Sequence, residues 1–494
     1  MKPVSIFLIS LASVLAISCH MDGMWYSGLD YYADAKIYNG FPVNEQPGDR
    51  FDKIAENPFV KVAVEPKSTF SIDADGASYA YMRKMLSEYR TLPSANSVRI
   101  EEYLNYFTFD YPEPAAGKSI SLNAETGPCP WEPSHKLLRL GLKGRSIPEE
   151  DWPTANYVFL IDVSGSMYSE DKLPLLKKGI VSMLDYLRDD DQIAIVTYSG
   201  HTETLLKPTK VKNAGNIKAA VRKLDANGST NGGQAMKDAY TLAEKYFIEG
   251  GNNRVIMGTD GDFNVGVTST DALLEMVQNY ASKGIYLTIC GFGSGNLNDS
   301  MMETVSNKGN GTYEYIDCEA EMIRIFVKER SKFVAVANDT KVQVSFNPET
   351  VDSYRLIGYE NRVMENDDFE NDRKDAGEIG SGQTITALYE LIPTSAYGKD
   401  SPVCSFDARY KESLGGKSTP LSISVKAGEE TLSANLSLAA GIASFGLVLR
   451  DSEYKGSASC KMARDLVSDG KGEDKDGYCK EFMDLISKAS ELKP

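Results

Sequence analysis

The chain has 494 residues and is short of several things that many functions need. It holds three histidines, His20, His135 and His201, and none stands in an evident acid–base constellation. Its seven cysteines include no C-x-x-C pair, which argues against a structural zinc site. Lys and Arg number 53 against 70 Asp and Glu, a net charge of −17. That balance lacks the basic footprint expected of a nucleic-acid binder. There is no Walker-type phosphate loop. Beyond Ile17 no apolar run approaches the length of a transmembrane helix. What remains is a hydrophobic content of 42%, ample for packed cores, and a length that calls for more than one domain.

The apolar run that does exist lies at the start. Lys2 precedes an apolar stretch from Val4 to Ile17, then Ser18 and Cys19. Charge, length and small-residue end describe a secretory signal peptide over residues 1–18. The sequence A-I-S-C resembles a bacterial lipobox, with Ala16 where Leu is usual. Lipidation of Cys19 would anchor the protein to a membrane surface without spanning it. The expected location is therefore the bacterial cell envelope, facing the periplasm or the cell surface. Residues 19–65 read as a tether that leans on the folded body. In an exported chain the other six cysteines can oxidise. Two pairings stand out, Cys290 with Cys318 and Cys460 with Cys479, against the alternative of buried thiols.

The most informative stretch is Tyr157 to Met167, Y-V-F-L-I-D-V-S-G-S-M. An unbroken apolar run followed by helical patterns predicts a buried parallel strand. Asp162, Ser164 and Ser166 then fall on the loop at its carboxyl end, where open α/β sheets place ligands. Three hard oxygens around Gly165 suit a small divalent cation such as Mg²⁺. Alone the triplet is weak, since D-x-S-x-S arises by chance in roughly one chain in ten of this length.

The rest of the chain divides into an N-terminal α+β unit over 66–150, a strand–helix alternation over 151–333, and a β-rich unit ending in helices over 334–494. In the first unit, Asp73 and Asp75 of I-D-A-D-G resemble part of a calcium loop but lack its later ligands, which favours a local turn. His135, beside Trp131 and Pro133, reads as structural. The middle alternation predicts a doubly wound, mostly parallel sheet. Within it Thr230 sits in a Gly/Asn-rich loop before a helix, and Asp260 ends a strand in G-T-D-G-D. Both fall where loops converge at the carboxyl edge of such a sheet. Asp367 lies in a charge-rich stretch, 366–378, that reads as a solvated loop.

On these residues, 157–330 resembles a von Willebrand factor A (VWA) domain. D-V-S-G-S-M matches its D-x-S-x-S motif, Thr230 its single threonine and Asp260 its strand-end aspartate. The resemblance implies a metal-ion-dependent adhesion site (MIDAS) made by Asp162, Ser164, Ser166, Thr230 and Asp260. Mg²⁺ is the family's usual ion, with Ca²⁺ or Mn²⁺ as alternatives. The flanks F-S-I-D-A-D-G-A-S-Y, V-R-I-E-E-Y-L-N-Y-F and G-P-C-P-W, and A-S-F-G-L-V-L-R-D-S near the end, resemble the YfbK-like VWA lipoproteins.

Three functions follow. The first is a protein-binding module that captures an exposed Asp or Glu of a partner through the metal, without chemistry. The second is a scaffold whose metal is held by a carboxylate of its own chain, from the tether or near Asp367. The third is a metal-dependent hydrolase using Asp162 and Asp260, disfavoured because no acid–base constellation surrounds them. The expected reading is the first, not an enzyme, with a membrane anchor and no nucleic-acid partner.

Overall fold

The strand Ala155–Asp162 is buried at every one of its eight positions, and the central sheet is built outward from it. The computed structural model describes residues 36–38, 41–43, 48–227, 233–261, 270–374 and 376–492. The signal peptide, Cys19 and Thr230 lie outside the described residues. We label the strands of the central sheet β1 (Ala155–Asp162), β2 (Gln192–Tyr198), β3 (Thr202–Lys210), β4 (Asn252–Thr259), β5 (Ile285–Phe292) and β6 (Thr312–Ile316). Their order across the sheet is β6-β5-β4-β1-β2-β3. All neighbours are parallel except β3, which runs antiparallel at the edge.

Alternation along β1 feeds both faces. Val158 and Leu160 join a core with helices α3 (Gly233–Lys245), α4 (Thr270–Ala281) and α5 (Asp299–Lys308). Tyr157, Phe159 and Ile161 join a core with α1 (Leu173–Met183), α2 (Ala214–Lys223) and residues 322–333. A continuous apolar run is what a parallel strand covered on both faces requires. This is the expected doubly wound sheet.

The flanking regions differ from the reading by sequence order. Segments 66–150 and 334–494 do not form separate bodies; their strands interleave. Lys67–Ser71 pairs with Ala335–Phe346, with Phe70 opposite Val342. Lys136–Gly144 pairs with Thr384–Pro393, with Arg139 opposite Leu388. Even Val60–Lys61, assigned to the tether, pairs with Val351–Ile357. The result is two antiparallel sheets of strands from both ends of the chain, stacked over one core that includes Phe70, Leu140, Val344, Tyr389 and Phe406. The other face of the second sheet is covered by helices, among them the buried Ala434–Arg450, capped by Ser433. None of the described helices is long and apolar enough to cross a membrane. Residues 36–38 and 41–43 form an antiparallel hairpin in a separate unit ending at Asn44.

No disulfide joins any two of the described cysteines, so neither pairing forms. Cys290 stands opposite Glu314 in the β5–β6 register, which leaves Cys318 four residues further on, about 13 Å along a strand. Cys460 opens one helix and Cys479 sits at the start of the next, with a helix rising about 15 Å between them. Both separations exceed the span of a disulfide.

Buried ion pairs lock the inserted α/β body to the sandwich. Arg83 meets Asp317 and Glu321 at 2.6 Å, and Arg99 meets Asp299 at 2.5 Å. Arg362 reaches Asp73 at 3.0 Å, Asp75 at 3.1 Å and Glu303 on α5 at 2.9 Å. Asp73 also accepts the Asp75 N–H, so I-D-A-D-G is a local turn around an arginine, not a calcium loop. Burial, with Glu303 and Asp73 close by, pushes the Asp75 carboxyl well up. His135 bonds Glu390 at 2.6 Å, consistent with its structural reading. Replacing Arg362 by Ala leaves three buried carboxylates without their cation. The expected loss is about 3–5 kcal/mol at pH 8, and smaller at pH 5, where the raised Asp75 carboxyl takes up a proton. Urea unfolding at the two pH values measures it.

Candidate metal centre

The site starts from how β1 ends. Its last residue, Asp162, is fully buried, and the chain turns at once. Val163 N–H donates to the Tyr198 carbonyl of β2 at 2.9 Å, which ties the turn to the neighbouring strand. Ser164 N–H donates to Asp162 Oδ1 at 2.8 Å. A short 3₁₀ turn, Gly165–Tyr168, follows, anchored by the fully buried Met167. The turn brings Ser164 Oγ and Ser166 Oγ to 2.9 Å from each other.

Asp260 arrives from the next strand, one residue beyond β4, and is fully buried. Gly261 follows with φ +101°, and a Cβ there would lie 2.7 Å from Asn296 O and Leu297 Cα. Only glycine allows this crossing. Asp162, Ser164, Ser166 and Asp260 thus meet at the carboxyl edge of the sheet, where the strand order places β1 beside β4. Thr230, the fifth expected ligand, lies outside the described residues, three positions before α3 begins.

Sequence reasoning missed Lys172. Its ammonium donates to Asp260 Oδ2 at 2.9 Å and to the Ser166 carbonyl at 3.0 Å. The signal was available: a lysine six residues after Ser166, just before the first residue of α1. Thr259 was missed too; its hydroxyl accepts the Gly261 N–H at 3.2 Å and lies 3.5 Å from Asp162 Oδ2.

The two carboxylates are in opposite electrostatic states. Burial pushes Asp162 up to about 6, and the charge of Asp260 adds to that, against hydrogen bonds from Ser164. Burial raises Asp260 as well, but the Lys172 ammonium outweighs it and holds the carboxyl below its ordinary range. Ser166 and Asn296 lie close enough to help hold the Asp260 carboxylate, but its Oδ1 is buried and has no partner at hydrogen-bond distance among the described residues. Such an oxygen carries a desolvation cost that a cation would relieve. The donors are all hard oxygens, the chemistry of a divalent alkaline-earth site. The residues therefore fit a metal. A cavity of about 490 Å³ exists elsewhere, near α5 and the sandwich, but its Arg99, Glu303 and Arg362 are already committed to one another and their neighbours.

The comparisons with known proteins agree with this architecture. Residues 156–326 match the von Willebrand factor type A domain, residues 45–139 match the model described as von Willebrand factor, and residues 331–492 match the C-terminal region of the uncharacterized protein YfbK. The uncharacterized protein YfbK of Escherichia coli (strain K12) is 37% identical over 469 residues, covering 89% of this chain and 81% of that one. The chain belongs to the YfbK family. Inter-alpha-trypsin inhibitor heavy chain H3 of Bos taurus is 29% identical over 175 residues, 33% of this chain and 19% of that one. Among solved structures, the von Willebrand factor type A protein from Catenulispora acidiphila aligns at 16% identity and a TM-score of 0.44, covering 76% of this chain and 91% of that one. VWA domains commonly mediate protein–protein interaction, typically bind a divalent metal at a MIDAS, and are generally not enzymes; the YfbK-family chain carries one such domain.

The raised Asp162 gives a sign to the pH dependence of the metal-free fold. Between about pH 4 and 6 the folded chain holds a proton on Asp162 that the unfolded chain releases. The contribution is complete at lower pH and is lost as pH rises through 6. In chelator-treated protein, Asp162→Asn should flatten that part of the stability–pH profile, measured by denaturant titration from pH 4 to 8.

Proposed function

We propose that this protein is a cell-envelope lipoprotein that binds a protein partner through a divalent metal completed by a partner carboxylate. The observation that carries the reading is the meeting of Asp162, Ser164, Ser166 and Asp260, with a buried oxygen of Asp260 that no described residue satisfies. Ser164 and Ser166 would hold the ion directly, with Asp162, Asp260 and Thr230 bound to it or to its water. When bound, the ion supplies electrophilic attraction for a carboxylate. The donors are two hydroxyls, hydrogen-bonded to each other at 2.9 Å, and two carboxylates, the hard oxygens that Mg²⁺ prefers. Mg²⁺ is therefore the proposed ion.

The chain's own residues orient the site. β1 and β4 fix the carboxylates, the Ser164 N–H holds Asp162 Oδ1, and Met167 pins the turn. Tyr168, the last residue of this turn, is 78% exposed and available to a partner. The acidic stretch near Asp367 is tied to the sandwich: Asn366 Oδ1 accepts from the Thr69 hydroxyl, and Asp372 pairs with Arg409. This favours a carboxylate from another molecule over one from that stretch. The signal peptide and the lipobox-like Cys19 support export and a lipid anchor.

Immobilised wild-type protein should capture a partner from envelope extract in Mg²⁺, and release it to chelator. Asp162→Ala should abolish the capture. Capture that survives both the substitution and chelation would sink the reading.

A further inference from the structure

Lys172 is seated in the metal centre by its surroundings. Its side chain is 11% exposed, and its ammonium is shared between Asp260 Oδ2 and the Ser166 carbonyl. Its aliphatic stem crosses Gly293, which has φ +70°; a Cβ at Gly293 would lie 2.1 Å from Lys172 Cε. The Gly293 carbonyl is held in turn by the Tyr315 hydroxyl at 2.5 Å. The preceding residue is fixed too: Asp171 accepts from the buried Lys84 at 2.7 Å and from Ser169 Oγ at 2.6 Å. A lysine with this much packing around its stem is not a solvent-side charge that happens to lean inward.

Its position sets the charge of the centre. Asp162 and Asp260 bring two negative charges, which a divalent ion would cancel. Lys172 adds one positive charge that those groups cannot cancel, and it occupies one oxygen of Asp260. The cation and the ion repel one another across a few ångströms of buried space, where charges act more strongly than in water. With the ion present, the sum over these described groups is one positive charge, which a single carboxylate neutralises.

We propose that Lys172 is a built-in counter-cation that weakens the centre's hold on its metal and strengthens its hold on a carboxylate. The inference rests on the metal-centre reading above and concerns a positioning residue, not one of its ligands. It makes two affinities move in opposite directions, which loss of a merely structural lysine would not do.

The test uses the full chain with Mn²⁺ as the metal probe and acetate as the carboxylate probe. Calorimetry reads Mn²⁺ affinity, and water-proton relaxation of the Mn²⁺-loaded protein reads displacement of bound water by acetate. Lys172→Met should bind Mn²⁺ about tenfold tighter or more, and should need about tenfold more acetate for the same displacement. Lys172→Arg, which keeps the charge, should stay near wild type in both. Should Lys172→Met fail to fold by circular dichroism, Lys172→Gln makes the same comparison with a polar end. A folded, neutral variant whose Mn²⁺ affinity is unchanged or weaker, or whose acetate response is unchanged, overturns the proposal. If wild type binds Mn²⁺, Asp162→Ala does not, and the neutral variant binds no tighter, only this inference fails. If wild type binds no Mn²⁺, or Asp162→Ala binds it equally, the metal-centre reading fails and takes the inference with it.

Discussion

The pairing of the chain's beginning with its end is the constraint on which the architecture depends. Lys67–Ser71 and Lys136–Gly144 find their partners in Ala335–Phe346 and Thr384–Pro393, roughly 250 residues away in sequence. Everything from β1 to residue 333 is therefore an insertion whose two ends must return to one sandwich. Ordering so long a loop costs only a slowly growing closure entropy. What makes the insertion rigid is the set of buried arginines paired across the contact, Arg83, Arg99 and Arg362. Buried ion pairs gain little over apolar packing, but they punish misplacement, because a displaced partner leaves an uncompensated charge. They fix orientation more than they add stability.

The central sheet was legible because its signal is local and repeated. Gln192–Tyr198 and Thr312–Ile316 follow directly from apolar strands between helical patterns. The hairpin Ile120–Pro128 and Lys136–Gly144 was not legible. Gly141 interrupts its second strand, where a Cβ would meet the Tyr111 ring at 2.5 Å, and Arg139 lies buried with its guanidinium 4.7 Å from that ring. A glycine and a buried arginine both break the alternation by which a strand is recognised. The interleaving of the two flanks was hidden for a different reason. Strand pairing across hundreds of residues leaves no mark on composition. Among the site residues, Asp162, Ser164, Ser166 and Asp260 announce themselves as a spaced motif at strand ends. Lys172 does not, because a lone lysine before a helix reads as a solvated charge until the fold closes Gly293 over its stem.

The centre also shows how one environment gives two similar groups different tasks. Asp162 and Asp260 are equally buried, yet one is pushed up and the other held down. The main difference is one ammonium, placed against Asp260 and bonded to no oxygen of Asp162, with Asn296 and Ser166 adding to it. Asp162 is instead supported by the Ser164 N–H of its own turn, a neutral dipole that cannot offset burial alone.

The floor of the centre is held by a segment far away in sequence. Asp49 Oδ1 accepts the N–H groups of Gly295 and Leu297 at 2.7 and 2.9 Å, and its Oδ2 accepts the Tyr81 hydroxyl. Arg50 N–H donates to the Leu297 carbonyl, and Asp52 accepts from Ser300 at the start of α5. The loop clamped this way contains Gly293, which carries the Lys172 stem, and Asn296 and Leu297, against which Gly261 passes without a side chain. Residues 48–52 were read by sequence as part of a tether, because they show no periodicity. Their bonds run instead to backbone groups of one loop. The geometry that aims Lys172 at Asp260 thus depends on a short strap laid across the 293–298 loop, and the candidate metal centre belongs to the whole folded body, not to the inserted sheet alone.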